Sequence, residues 1–217
     1  KMEIKKFIKK KLNMPSKSYN KSVFINCPID RKYEPMFRSA VFAVLRCNFF
    51  VRCAQEEQDS SAIRVDKIFR MINECKFGIH DISRTQPDKK TQLPRFNMPL
   101  ELGIFLGAKH FGGGDQVKKN CLIFEKRSYS YDRYISDIKG QDIKAHQNKP
   151  QTMIIEIRDW LTANSNKSSP PGGTALWKEY QQFSRWLPNA CWEKKLKNAE
   201  LTYHDYANLV YEWIETM

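Results

Sequence analysis

Short apolar runs alternate with amphipathic stretches over the first two thirds of the chain. The runs VFIN, NFFVRC, FGIHDI and NCLIF predict strands at residues 23–26, 48–53, 77–82 and 120–124. Between them, apolar positions recur at helical spacing over 33–46, 61–74 and 99–111. The order β-α-β-α-β-α-β predicts an α/β fold with a doubly wound parallel sheet of four to five strands.

Beyond residue 125 the strand pattern fades and helical spacing takes over. A helix is predicted within 143–161, and SNKSSPPGG at 165–173 has the composition of a linker. The last segment carries four of the five tryptophans at helical spacing, so we expect helices that pack against their own chain or a second copy. The predicted organisation is a basic N-terminal arm (1–21), an α/β domain (22–164), a linker (165–173) and a helical C-terminal extension (174–217).

Charge is concentrated at the N-terminus. The chain carries a net charge of +13, and residues 1–21 hold eight lysines and one glutamate, a net of +7. Ile4, Phe7, Ile8 and Leu12 recur there at helical spacing. This pattern has two interpretations. The arm is either an amphipathic helix that binds phosphates or a partner such as nucleic acid, or a solvated helix docked on the domain.

Cysteine and histidine usage indicates no structural metal. None of the six cysteines forms a CxxC pair, and the four histidines are scattered along the sequence. No apolar run approaches the roughly 18 residues of a membrane span. We therefore predict a reduced, cytoplasmic protein with no membrane partner, no metal and no bound cofactor.

Two acids stand out because of their surroundings. Glu101 lies among Leu100, Leu102 and Ile104 in the predicted third helix, where burial would raise its pKa. Asp81 ends the third strand. Either acid could serve a site, and the structural alternatives are a carboxylate stabilised at a helix N-terminus for Glu101 and a turn-capping aspartate for Asp81.

Ligands of doubly wound sheets bind at the carboxyl ends of the strands, so the loops that follow the strands are candidate binding elements. The loop after the first strand offers a backbone that would face a ligand, and Arg84 and Arg95 bracket a later loop that either binds a phosphate or is a solvated lid. Cys27 would act as a nucleophile only with a base such as His80; otherwise it is structural. The predicted substrate-binding residues are Cys27, Pro28, Asp30, Ser83, Arg84, Asn97 and Met98.

Residues 97–103, NMPLELG, resemble the N-V-x-[YF]-E-L-G helix opening of the nucleoside 2-deoxyribosyltransferase and TIR-like nucleotide-binding superfamily. A strand that ends in aspartate precedes that helix in both. The Cys27-Pro28 pair resembles the Gly-Pro of the superfamily's first loop. The resemblance covers about residues 22–125, with Leu100 in place of an aromatic residue.

The resemblance implies a flavodoxin-like sheet and cleavage of the N-glycosidic bond of a nucleoside or of NAD. Glu101 would be the catalytic carboxylate and Asp81 a ribose-positioning acid. NAD would then be a substrate rather than a cofactor. A non-catalytic nucleotide sensor that controls assembly or a partner is the alternative, and we expect a homo-oligomer in either case.

Overall fold

The computed structural model describes residues 18–84, 87, 92–165 and 170–217. Five parallel strands form one sheet in the order β2-β1-β3-β4-β5. They are β1 (Ser22–Asn26), β2 (Phe50–Cys53), β3 (Phe77–Asp81), β4 (Asn120–Glu125) and β5 (Lys144–Ala145). This is the flavodoxin-like strand order, which confirms the predicted α/β fold.

In the part of the chain that the structure describes, six α-helices pack around the sheet. They are α1 (Glu34–Arg46), α2 (Arg64–Asn73), α3 (Asn97–Phe111), α4 (Pro150–Ala163), α5 (Gly173–Glu193) and α6 (Tyr203–Glu215). Alternate residues of β1 point to opposite faces, as the period of a strand requires. Val23 and Ile25 pack in a core with α1 and α4, whereas Phe24 packs with α2 and α3.

The C-terminal helices belong to the same core as the sheet. Phe183 of α5 lies 5.3 Å from Phe42 of α1 and 5.7 Å from Tyr206 of α6, measured between ring centroids. The prediction of helices that pack against their own chain is thus confirmed for the described residues. The segment covers the face formed by α1 and α4, where it extends the apolar core of the domain.

Helix starts differ most from prediction. Helix α2 begins at Arg64 rather than at residue 61, and α3 begins at Asn97, two residues before Pro99. Proline fits the first turn of a helix because the amide hydrogens there have no intrahelical acceptor, so Pro99 does not have to open the helix. Helix α4 begins at Pro150, inside the predicted 143–161 region, because β5 and a turn precede it, and it continues to Ala163.

Two predicted segments lie partly outside the described residues. Most of the basic arm, residues 1–17, lies outside them, as do residues 166–169 of the predicted linker. Among the described helices, none has the length and apolar character that a membrane crossing needs.

Candidate functional site

A cavity of about 550 Å³ opens at the carboxyl edge of the sheet. The loops after β1, β2 and β3 and the first turn of α3 surround it. The strand order reverses between β1 and β3, and crevices at such a point are the usual ligand sites of doubly wound sheets. Its walls include Asn26, Cys27, Phe37, Gln55, Arg64, Arg95, Phe96, Asn97, Met98 and Glu101.

Glu101 is the acid that lines this cavity. It lies one turn into α3 and is partly buried. Within the described residues, its carboxylate has no hydrogen-bond or ion-pair partner. Burial raises its pKa from 4.5 to about 7, and the charge of the nearby Arg64 acts in the opposite direction. At neutral pH the carboxyl group can therefore act as an acid or as a base.

Asn26 fixes the first turn of α3 against the end of β1. Its side-chain amide donates to the carbonyl oxygen of Met98 at 2.8 Å and lies 3.1 Å from Nδ1 of His80. Because Glu101 follows Met98 by less than one turn, this contact sets how deeply the acid enters the cavity. Asn26 was not among the predicted site residues, although a polar residue that closes the apolar run VFIN was a usable signal.

His80 is a buried neutral histidine and not a base for Cys27. It packs between Phe24 and Phe105, with ring centroids 5.9 and 4.9 Å away. Burial lowers the pKa of His80 to about 3 and raises the pKa of Cys27 well above its ordinary value. A thiolate is the form that attacks, so these two shifts favour the structural interpretation of Cys27 over the nucleophile one.

Gly78, two residues before His80, makes this packing possible. A Cβ atom on Gly78 would lie 2.6 Å from Nε2 of His80 and 2.8 Å from the ring of Phe105. Real Cβ atoms do not approach that closely, so a side chain here would push α3 away from the sheet. Gly78 therefore helps to position the helix that carries Glu101.

Asp81 lies in a closed polar cluster at the end of β3. Its Oδ2 atom accepts from the Tyr33 hydroxyl at 2.5 Å and contacts Nε2 of His146 at 2.9 Å. Its Oδ1 atom accepts from the backbone N–H of Ser83 at 2.8 Å. The side chain is fully buried and is not among the residues that line the cavity. The structure thus gives Asp81 the turn-capping contact that was the alternative to a ribose contact.

His146 completes this cluster from the far end of the sheet. The backbone N–H of Asn148 donates to Nδ1 of His146 at 2.9 Å, so the hydrogen of the neutral ring lies on Nε2. That hydrogen faces Asp81, and the Ser83 hydroxyl lies 2.8 Å from the same nitrogen. No local sequence pattern marks His146, because only the pairing of β4 with β5 brings it beside Asp81.

Asp30 joins the loops on either side of the cavity. It lies 3.2 Å from Arg84 and 3.2 Å from Arg95, and it accepts from the backbone N–H of Tyr33 at 3.0 Å. The two arginines that were expected to bind a phosphate or lie in a lid thus share one carboxylate. Arg95 also lines the cavity, so a bound anion could compete with Asp30 for it.

The nine predicted site residues fall into three groups. Cys27, Asn97, Met98 and Glu101 line the main cavity, Pro28 and Asp30 line an adjoining one, and Asp81, Ser83 and Arg84 line neither. The cavity also contains Gln55, just after β2, and Arg64, at the start of α2, which were not among the predicted site residues. A basic residue at the first turn of a helix near the sheet edge was the only signal for Arg64.

No group of histidine, cysteine or acidic side chains in the described residues is arranged to hold a metal ion. Comparison of the chain with protein-family models, with curated proteins and with solved structures gave no match. Fold and site therefore define the class by themselves: a flavodoxin-like α/β protein with one partly buried carboxylate in a cavity at its carboxyl edge.

Proposed function

We propose that this protein cleaves the N-glycosidic bond of a nucleotide, with NAD the first candidate, and that Glu101 is its catalytic carboxylate. The observation that carries the proposal is the Glu101 side chain in the cavity at the carboxyl edge, which has no partner among the described residues. The NMPLELG resemblance to the deoxyribosyltransferase and TIR-like superfamily supports it, and so does the shared strand order.

The chemistry needs one negative charge close to the sugar. Breaking the bond between C1′ and the base builds positive charge on the ribose, as in glycoside hydrolysis. An ionised Glu101 below C1′ would stabilise that charge or trap it as a covalent ester that water then hydrolyses. A positively charged substrate would favour the ionised form of an acid whose pKa is about 7.

The number of acids that line the cavity limits which leaving groups the site can accommodate. Glu101 is the one acid among the described residues that line it, because Asp81 is enclosed in its own cluster. A single carboxylate cannot both stabilise the ribosyl cation and protonate the departing base, so the site best suits a base that leaves without protonation. The pyridinium base of NAD meets that condition, since it leaves as a neutral molecule, and Arg64 and Arg95 lie where they could contact phosphates.

A non-catalytic nucleotide sensor is the second candidate. The raised pKa of Glu101 favours it, because a protonated carboxyl group can donate a hydrogen bond to a bound base or sugar. In that case ligand binding would change assembly or partner contacts without bond cleavage. The homo-oligomer and the nucleic-acid contact of the basic arm remain predictions.

The test is to incubate the full-length protein with nucleosides, nucleotides and NAD and to measure released base by chromatography. Release that requires Glu101 would support the enzyme. Calorimetric binding of an intact nucleotide without release would support the sensor, and a ligand-dependent change of mass in light scattering would identify its output. Neither release nor binding with any member of the panel would reject both.

A further inference from the structure

A second cavity of about 300 Å³ adjoins the main one. Ile29, Phe37 and Gln55 line both cavities, so these three residues lie between them. Glu101 lines only the larger cavity, and each acid that lines the smaller one is held in an ion pair. A ligand that places its reacting bond at Glu101 can therefore extend past Phe37 into the second cavity.

The C-terminal segment forms the far wall of this second cavity. Ala199, Leu201, Thr202, Tyr203 and Tyr206 line it from that side. The wall is held by long-range hydrogen bonds: Arg38 donates to Asn198 Oδ1 and to its carbonyl oxygen, each at 2.7 Å, and the Tyr203 hydroxyl donates to the Val51 carbonyl at 3.0 Å. A wall held in this way is preorganised, which lowers the cost of ligand binding.

One positively charged side chain at the second cavity has no acidic partner among the described residues. Each lining acid is paired: Asp30 with two arginines, Glu34 with Arg38 at 2.5 Å, and Glu200 with Lys197 at 3.1 Å. Arg31 lines the cavity and, in the part of the chain that the structure describes, makes no ion pair or side-chain hydrogen bond. Guanidinium groups bind phosphates through paired hydrogen bonds.

We infer that the second cavity is a subsite for the distal, phosphate-bearing half of a dinucleotide, with Arg31 as its anion contact and the C-terminal segment as its selectivity wall. The inference rests on the proposed function, because the reacting half must lie at Glu101. It assigns the C-terminal segment a role in choosing dinucleotides over mononucleotides.

The experiment fills the second cavity and removes its cation. Ala199→Trp adds bulk at an exposed lining residue, and Ala175→Trp, on an exposed site of α5, is its matched control. Arg31→Gln removes the cation, and Arg185→Gln removes an exposed arginine outside both cavities. Turnover is measured on NAD and on nicotinamide mononucleotide, and binding is measured calorimetrically with ADP-ribose as an unreactive probe.

We expect Arg31→Gln to raise KM for NAD roughly tenfold or more, because it removes one charged hydrogen bond. Ala199→Trp should also raise KM for NAD, because it fills the second cavity. KM for the mononucleotide should stay unchanged in both variants, and neither control should change KM for either substrate. Equal effects on the two substrates, or none, would overturn the inference and leave the proposed function standing. If no variant or parent turns over either substrate, binding decides: loss of ADP-ribose affinity in the two variants alone supports the subsite. Unchanged affinity, or no binding by the parent, rejects it.

Discussion

Asp81 and Glu101 are two acids at the same edge of the sheet in opposite environments. Asp81 is fully buried and accepts hydrogen bonds from Tyr33, His146 and Ser83. Glu101 is less buried, yet within the described residues it has no partner, and burial raises its pKa to about 7. The number of donors around a carboxylate thus separates the two acids better than burial does.

The difference decides what each acid can do. A carboxylate whose lone pairs are filled by protein donors stabilises the fold and has little left to offer a ligand. A carboxylate that is desolvated but lacks hydrogen-bond donors is energetically unfavourable, and a ligand that supplies a donor or a positive charge stabilises it. This situation is typical of sites that use the acid. We therefore interpret the Asp81 cluster as structural and Glu101 as the acid that is available to a ligand.

The largest expected effect is that of Glu101→Gln on base release. Glutamine keeps the size of the side chain but removes the charge that would stabilise the ribosyl cation. We expect a loss of roughly a hundredfold or more in kcat, as for other electrostatic catalytic groups, measured by chromatography of the released base.

Glu215→Gln is the matched control for this substitution, because Glu215 is exposed at the end of α6 and lines neither cavity. It should leave turnover unchanged. Full turnover in a folded Glu101→Gln protein would show that the unfilled carboxylate is not the catalytic one.

Asp81→Asn should act on stability instead. The amide nitrogen cannot accept, and it would face either both Tyr33 and His146 or, in the flipped orientation, the backbone N–H of Ser83. We expect a loss on the order of 2 to 3 kcal/mol in the free energy of unfolding, as for a buried donor left unsatisfied, measured in urea. A stable protein whose KM rises would instead place Asp81 in contact with the ribose, as the superfamily resemblance implies.

The pH dependence of stability tests the state of Glu101 without any substrate. With a folded pKa of about 7 and an ordinary value of 4.5, the native protein keeps a proton that the unfolded chain releases between these two pH values. The stabilising contribution is complete below about pH 4.5 and is lost as pH rises through about 7.

The unfolding free energy of the parent, relative to Glu101→Gln, should therefore fall by about 2 kcal/mol from pH 4.5 to pH 8, because one pKa unit corresponds to about 1.4 kcal/mol and Glu101 is partly exposed. Urea titrations of both proteins at several pH values measure it. A constant difference would mean that the acid is solvated and ordinary.

Much of the fold follows from sequence periodicity. The apolar runs of β1, β3 and β4 and the helical spacing of α1 locate these elements within one or two residues, because each buries a regular face. Strand β5 was not located: two half-exposed residues, Lys144 and Ala145, carry no apolar pattern. It forms because Phe124 and Glu125 offer a sheet edge, which only the folded chain contains.

The site was predicted only where its signal is local. Glu101 stands out because its neighbours along the helix are apolar, and it lies in the cavity. Asp81 has an equally distinctive position at a strand end, but its function depends on Tyr33 and His146, which lie 48 and 65 positions away along the chain. Sequence spacing cannot indicate that these donors meet it.

The smallest expected effect is that of removing the Ser83 hydroxyl from the Asp81 cluster. Ser83 holds Asp81 through its backbone N–H and His146 through its hydroxyl, at 2.8 Å in both contacts. Ser83→Ala removes the second contact and keeps the first, so we expect a loss of about 1 kcal/mol in unfolding free energy, the value of one hydrogen bond. Because Ser83 lines neither cavity, KM should not change. A raised KM at unchanged stability would return Ser83 to the substrate-binding residues that its sequence position predicts and would extend the ligand site to the Asp81 cluster.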